Sequence, residues 1–145
     1  MLTLIRKADR LFNHIPEAIV LLFVRIVAGH VFWASGETKT EGLWHLRPET
    51  IDLFRDEYKL PLISPELAAS LAAAAEHVLP VLLVIGLFSR FAALGLVIMT
   101  LVIQCLVYPD AWWPQHSLWL GLLLVIMARG GGTLSLDRFV MDRKR

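Results

Sequence analysis

The alternation of apolar and polar stretches along the chain predicts four helices that cross a membrane. Apolar stretches lie at about residues 16–36, 65–88, 91–108 and 112–129. A membrane helix needs about 20 mostly apolar residues, so the last stretch is near the lower limit. All connections except the first are short, which favours antiparallel neighbours. The pattern therefore predicts an all-α integral membrane protein, a four-helix antiparallel bundle that forms a single domain over residues 1–145.

Three amphipathic segments flank these stretches, at about residues 1–15, 49–60 and 135–145. In the first, apolar residues recur at spacings of three and four, while basic residues occupy the opposite side. A basic amphipathic segment beside a membrane span is typical of a helix that lies in the interface. We therefore expect short interfacial helices at the N-terminus, in the first outer loop and at the C-terminus.

The composition agrees with a membrane protein and excludes two classes of function. The hydrophobic fraction is 57% and the mean hydropathy is +0.62, above the roughly 45–50% apolar content of soluble domains. Cys105 is the single cysteine, so an internal disulfide or dithiol pair is excluded, and we expect it to be a small buried side chain. No basic surface interleaved with aromatic residues indicates a nucleic-acid partner.

Basic residues are distributed unequally between the two ends of the predicted helices. Four of them, Lys39, Arg47, Arg55 and Lys59, fall on one side. Nine fall on the other side: Arg6, Lys7, Arg10, Arg90, Arg129, Arg138, Arg143, Lys144 and Arg145. Because positively charged loops stay in the cytoplasm, both termini are predicted to be cytoplasmic in a multi-pass protein of the bacterial inner (plasma) membrane.

Two charged residues interrupt the first and second apolar stretches. Arg25 lies about 13 Å from the cytoplasmic end of its helix, and Glu76 about 16 Å from the outer end of the next, at the rise of an α-helix. Intramembrane charges usually face a partner or a wet cavity and mark functional sites. Equal depth and opposite charge predict a direct contact between Arg25 and Glu76. The alternative is a buried ion pair that only fixes the register of the helices.

Other polar residues are expected near this pair. The predicted intramembrane polar pocket consists of Arg25, Glu76, His77, His30 and Gln104, with an outer rim of Trp33, Lys39 and His116. Lys39 and Trp112 are predicted to lie at the outer interface, since a lysine near a helix end can snorkel toward water. Imidazole suits copper, zinc or iron, but the histidines have no dedicated ligand spacing, and no metal site is predicted.

Several short motifs resemble the DoxX family of bacterial membrane proteins. The first is Arg25 with Gly29, Phe32 and Gly36-x-x-Lys39, and the second runs from Pro65-Glu66-Leu67 through Glu76 to Gly86-Leu87 and Arg90. The terminal stretch 130–137, GGGTLSLD, is similar to the family's closing Gly-x-x-Ser-Leu-Asp signature. The family is similar to the DoxD subunit of thiosulfate:quinone oxidoreductase and to MauE of methylamine utilisation. The resemblance implies a four-helix membrane subunit of a redox or maturation system.

Three functions follow as hypotheses. The first is a quinone-linked redox component, at most a subunit of an oxidoreductase, with quinone as the cofactor and another protein subunit as a partner. The second is a non-enzymatic membrane partner or anchor that docks a protein, for instance through the outer loop at 37–64. The third is handling of a metal ion or small solute through the polar core. A homo-oligomer in the lipid bilayer is compatible with each of them.

The predicted topology has a direct test. Reporter fusions should be active outside the cell only within 37–64 and 109–115, because these segments join the outer ends of the predicted helices. A fusion at the C-terminus that is active outside the cell would contradict this topology.

Overall fold

The structure, a computed structural model, describes residues 5–6, 12–42 and 44–142. Its α-helices are α1 (Glu17–Lys39), α2 (Pro48–Leu53), α3 (Pro65–Ile85), α4 (Ser89–Leu106), α5 (Ser117–Arg129) and α6 (Leu136–Asp142). π-helical turns follow α2 (Phe54–Tyr58) and precede α5 (Trp112–His116), and a 3-10 turn spans Pro109–Ala111. The sequence did not predict the small antiparallel ribbon of β1 (Thr40–Glu41) and β2 (His45–Leu46).

Local sequence explains where the long helices begin and end. α1 starts directly after Pro16, and Pro65 is the first residue of α3, a position where a missing N–H leaves nothing unsatisfied. Ser64 caps α3 by accepting the N–H of Leu67 at 3.3 Å. Gly86 ends α3 with a φ of 75°, a left-handed conformation that glycine adopts without strain.

The long helices pack around a shared apolar core. α1 contacts α3 and α5, α3 contacts α4, and α4 contacts α5. Fully buried core residues include Leu83, Leu96, Leu123 and Ile126. Many large apolar side chains point outward instead, among them Phe23, Ile26, Leu71 and Ile98. An outward apolar surface on apolar helices is typical of proteins whose solvent is lipid.

Three helices, α1, α3 and α4, are long and apolar enough to cross a membrane within the described part of the chain. α5 has 13 residues and follows a π-helical turn. The fourth crossing, and with it the four-helix membrane bundle, therefore stays a prediction.

Two of the three predicted amphipathic segments contain helices in the part of the chain that the structure describes. Most of the predicted N-terminal helix lies outside the described residues. Helical structure is present in the predicted segment 49–60, as α2 and the π-helical turn that follows it, and near the C-terminus, as α6. That these two helices lie in the membrane interface remains a prediction.

Two glycines on α1 set its close approach to α3. A Cβ at Gly29 would come within 2.7 Å of Val84 Cγ2, and one at Gly36 within 2.8 Å of His77 Cε1. Small residues at helix interfaces let backbones approach in this way. The contacts place Gly36 level with Glu76 and His77, and Gly29 level with Pro80 and Val84, so α3 extends well beyond the end of α1.

Arg25 of α1 contacts the C-terminal end of α3. Its guanidinium donates to the carbonyl oxygens of Leu83 at 3.3 Å and Val84 at 2.9 Å, and also to that of Leu134. The last carbonyls of a helix have no partner within the helix, and a cation there complements the helix dipole. Arg25 therefore caps the C-terminal end of α3 and ties the glycine-rich segment before α6 to it.

Asp137 makes the reciprocal connection to α4. Its two carboxylate oxygens accept the backbone N–H groups of Phe88 at 2.6 Å and Ser89 at 2.9 Å, and its own N–H donates to Gly86 O at 2.8 Å. A carboxylate at a helix N-terminus satisfies orphan donors and complements the dipole. The stretch 130–137 thus has a structural role, since it holds the turn between α3 and α4.

At the other end, the segment after α2 packs on α3 and α4. Phe54 and Tyr58 are buried with Ala68 and Ala69 of α3. The hydroxyl of Tyr108, just beyond α4, donates to Glu57, and this hydrogen bond raises the pKa of Tyr108 to about 12. These contacts hold the segment after α2 against the part of α3 that extends beyond the end of α1.

Removing the Asp137 cap should destabilise the protein. Asp137→Ala is expected to lower the free energy of unfolding by about 1–2 kcal/mol, the usual effect of losing a helix cap. Thermal unfolding of the purified protein in detergent measures this. Asp56→Ala is the matched control, because Asp56 is exposed on the outer segment. Equal effects of the two substitutions would contradict the capping role.

Candidate functional site: a buried ion pair beside a histidine

Glu76 lies in the middle of α3 and is buried against α1. It accepts a hydrogen bond from Ser35 Oγ at 3.0 Å. The ammonium of Lys39 lies 2.9 Å from Oε1 and 2.9 Å from Oε2. The contact with Oε2 is an ion pair without hydrogen-bond geometry, and that oxygen accepts no hydrogen bond from the described residues. Glu76 and Lys39 are therefore partners in a buried salt bridge.

The prediction that Lys39 snorkels toward water is wrong, and its place at the outer interface stays a prediction. Lys39 is the last residue of α1 and is only 6% exposed. Besides Glu76, its ammonium donates to Ser35 Oγ at 2.9 Å and to Ser35 O at 3.3 Å. The backbone carbonyl of Lys39 accepts from Thr50 Oγ1 and from Arg47 N. Lys39 bends inward because two acceptors face it. One is the hydroxyl of Ser35, one turn back on α1, and the other is the carboxylate of Glu76 on α3.

The predicted contact between Arg25 and Glu76 is also wrong. Arg25 hydrogen-bonds to carbonyls at the end of α3, whereas Glu76 pairs with Lys39. Val84 is eight residues beyond Glu76, about 12 Å along the helix. The prediction counted the depth of each residue from an end of its own helix, and it assumed that the ends of α1 and α3 are level. Because α3 projects beyond α1, Arg25 and Glu76 lie at different levels.

His77 lies next to the ion pair, under two tryptophans. Its Nδ1 is 2.7 Å from Ala73 O, and since a carbonyl only accepts, Nδ1 carries the proton. The ring centroid lies 5.0 Å from that of Trp33 and 6.1 Å from that of Trp44. Nε2 is buried and has no hydrogen-bond partner among the described residues. In the neutral ring, Nε2 is a free acceptor.

A cavity of about 410 Å³ lies close to this histidine, which does not itself line it. Its wall is formed by the β-ribbon and by α3, through Thr40, Trp44, His45, Leu46, Ser70, Ala73 and Ala74. Ala73 is the residue whose carbonyl holds His77, and Trp44 is one of the two indoles beside its ring. Ala73 and Trp44 thus line the cavity on one side and contact His77 on the other.

Of the other predicted site residues, only Trp33 lies beside His77. His30 is exposed on the outer surface of α1, and Trp33 is half-buried, with its indole N–H donating to Glu37 at 3.1 Å. Gln104 and His116 form their own pair, 2.7 Å between Oε1 and Nδ1, and His116 is buried rather than on a rim. Cys105 is exposed, so its predicted burial is wrong. Trp112 is 38% exposed, and its place at the interface stays a prediction.

Sequence reasoning missed Ser35 and Trp44 as site residues. Ser35 and Lys39 are four residues apart and so share a face of α1, and Gly36 between them leaves room for the partner helix. This spacing was a usable signal for a lysine that turns inward. No comparable signal marks Trp44, because the short ribbon brings it over His77.

Comparison with known proteins identifies the family. A model of the DoxX family matches residues 20–109. This chain belongs to the DoxX family. An uncharacterized protein of Haemophilus influenzae is 26% identical over 136 residues, which cover 87% of this chain and 86% of that protein. No solved structure matches the chain. The matched region of this DoxX protein contains Lys39, Glu76 and His77.

The partner of Glu76 can be established by a double-mutant cycle. Lys39→Met or Glu76→Leu alone should cost about 3–5 kcal/mol, because each leaves a buried charge unpaired, whereas the double substitution should recover most of that loss. Arg25→Met with Glu76→Leu is the matched cycle and should be additive, within about 0.5 kcal/mol. Unfolding in detergent measures both cycles. Coupling of Glu76 to Arg25 but not to Lys39 would contradict the assignment.

Proposed function

We propose that this DoxX family protein is a subunit of a membrane redox system that binds the head group of a quinol beside His77. The observation that carries the proposal is the buried imidazole of His77, whose Nε2 has no partner among the described residues and whose ring lies against Trp44 and Ala73, two residues of the wall of a cavity large enough for a single ring. Buried polar atoms are rarely left unsatisfied, so Nε2 would gain a donor if a ligand in the cavity displaced the exposed Trp44 and reached it. Family membership and the apolar helices supply the membrane setting.

Two hydroxyls in the cavity wall favour the reduced form of a quinone, while the third polar side chain there, the imidazole of His45, can donate or accept. Thr40 Oγ1 donates to Gly42 O at 2.8 Å, and Ser70 Oγ donates to Glu66 O at 2.7 Å. Their hydrogens are therefore occupied, and their lone pairs remain available, as at His77 Nε2. A quinol hydroxyl donates and satisfies such acceptors, whereas a quinone carbonyl only accepts. Trp44 offers an indole beside which an aromatic ring can pack.

The buried ion pair has a supporting role in this proposal. All three polar groups of Ser35, Lys39 and Glu76 bond to one another, so the pair leaves no net charge beside the ligand. It also fixes α1 against α3 at the level of His77. His77 Nε2 would then accept one of the two hydroxyl protons when a quinol is oxidised. The second proton would pass to water, and the two electrons would pass to a redox centre on a partner protein.

The membrane arrangement belongs to the same proposal. If the chain crosses the inner membrane four times, as proposed, the cavity would lie near the outer face and both termini would lie in the cytoplasm. A hydrophobic quinol would reach the site from the lipid phase. The alternative of metal handling has less support, since no three His, Cys, Asp or Glu side chains converge anywhere in the described part of the chain.

Quinol binding provides the test. Titration of the purified protein with a short-chain quinol under anaerobic conditions, followed by tryptophan fluorescence, should give saturable binding that is tighter than that of the oxidised form. His77→Phe keeps a planar ring but removes the acceptor. Its affinity should fall about fivefold or more, as expected for the loss of one hydrogen bond of about 1 kcal/mol.

His30→Phe is the matched control, because His30 is exposed on α1 away from the cavity wall, and its affinity should be unchanged. Two results would overturn the proposal. One is an equal loss in both variants. The other is the absence of quinol binding together with the absence of extractable quinone, which would leave the docking of a partner protein as the better function.

A further inference from the structure

One side of α1 carries a row of exposed side chains that faces away from the rest of the chain. Ile19, Phe23 and Ile26 are 56%, 65% and 46% exposed, and the row continues through the exposed His30 and the half-buried Trp33. Successive members are separated by four, three, four and three residues. This is the repeat with which two helices pack along a shared seam. We call these five residues the α1 seam.

α1 packs within its own chain through its opposite side. Leu21, Arg25, Phe32 and Gly36 are buried there, and α1 contacts α3 and α5. One side of the helix thus belongs to the core of the chain, and the other side is open along most of its length. Lipid is a sufficient neighbour for the apolar residues of that open side, but not for a polar one.

His30 is the residue of the α1 seam that lipid does not suit. α1 is long and apolar enough to cross a membrane, and His30 lies about 13 Å from its end at Lys39 and about 20 Å from its start at Glu17. That depth is inside a hydrocarbon layer of about 30 Å. No hydrogen bond, ion pair or ring contact joins His30 to another described residue. Ionisable side chains at such depths almost always face protein or a water-filled cavity, and they are paired.

The exposed polar side chains of the other long helices are placed differently. On α3 and α4 they lie near a helix end, and they are Glu66, Ser70, Arg90 and Cys105. Side chains at helix ends can reach water or lipid head groups. Among the exposed polar residues of α1, α3 and α4, His30 is therefore the exception, and its position indicates a protein neighbour within the membrane.

A second copy of this chain supplies the group that His30 lacks. Copies that are inserted in the same orientation are related by a two-fold axis along the membrane normal, so their α1 helices run parallel. Across a parallel seam each residue lies opposite the same residue of the other copy, so His30 meets His30. A neutral imidazole has one donor and one acceptor nitrogen. The two rings can therefore hydrogen-bond to each other, whereas two lysines or two glutamates would repel.

We propose that the α1 seam is the interface of a homodimer, in which α1 packs in parallel on α1 of a second copy and the two His30 side chains share a hydrogen bond. The apolar residues of the seam pack on their counterparts on both sides of this bond. Glu37, one turn beyond the seam, lies at the end of α1, where its charge reaches water. No residue of the α1 seam lines the cavity beside His77, so the dimer does not depend on quinol binding.

Disulfide cross-linking of the full chain in membrane vesicles locates the interface. In a Cys105→Ala background, Ile26→Cys should give a covalent dimer with a mild oxidant, because the two copies of this position face each other across a parallel seam. Ile98→Cys is the matched control, since Ile98 is 55% exposed but lies on α4, and it should stay monomeric. Equal cross-linking at the two positions, no dimer at position 26, or cross-linking at position 26 to a different membrane protein would each overturn the proposal.

Energy transfer between donor-labelled and acceptor-labelled copies, measured in vesicles of increasing lipid content, gives the strength of the dimer. His30→Leu should weaken dimerisation about fivefold, or about 1 kcal/mol, as expected for one hydrogen bond between membrane helices. His30→Gln keeps a side chain that both donates and accepts, so its affinity should stay within about twofold of the wild type. Dimerisation of His30→Leu as tight as that of the wild type, or of His30→Gln as weak as that of His30→Leu, would contradict the hydrogen bond at the centre of the seam.

Discussion

The buried salt bridge between Lys39 and Glu76 is the interaction on which the rest of the structure depends. Two charges away from water are tolerated only when paired and hydrogen-bonded, and Ser35 completes the set by accepting from Lys39 and donating to Glu76. This requirement fixes the register of α1 against α3. With that register, His77 comes under Trp33 and Trp44, and Arg25 reaches the last carbonyls of α3.

Arg25 and Glu76, the charged residues within the first two apolar stretches, therefore have different roles. Glu76 belongs to a buried polar cluster with Ser35 and Lys39, next to His77. Arg25 belongs to the scaffold, because it caps α3 and holds Leu134, while Asp137 caps α4. The terminal stretch 130–137 that resembles the family signature takes part in this capping, since Leu134 O accepts from Arg25 and the carboxylate of Asp137 accepts from the start of α4.

The sequence predicted the helices better than the site. Apolar length and helix-start residues such as Pro16 and Pro65 located α1, α3 and α4 closely, because these signals are local. The pairing of Glu76 was predicted wrongly because it depends on the offset between two helices, which no local pattern encodes. The spacing of Ser35, Gly36 and Lys39 contained part of the answer. The position of Trp44 could not be predicted, since it depends on a ribbon of two-residue strands.

Infrared difference spectroscopy tests the central assignment most directly, because it reports the protonation state of Glu76 itself. The spectrum of the wild type minus that of Glu76→Gln, recorded in lipid at neutral pH, should contain the band of an ionised carboxylate. In a Lys39→Met background the same difference should instead contain the band of a protonated carboxyl, since an unpaired buried charge neutralises. A carboxylate band that survives Lys39→Met and is lost in Arg25→Met would contradict the account.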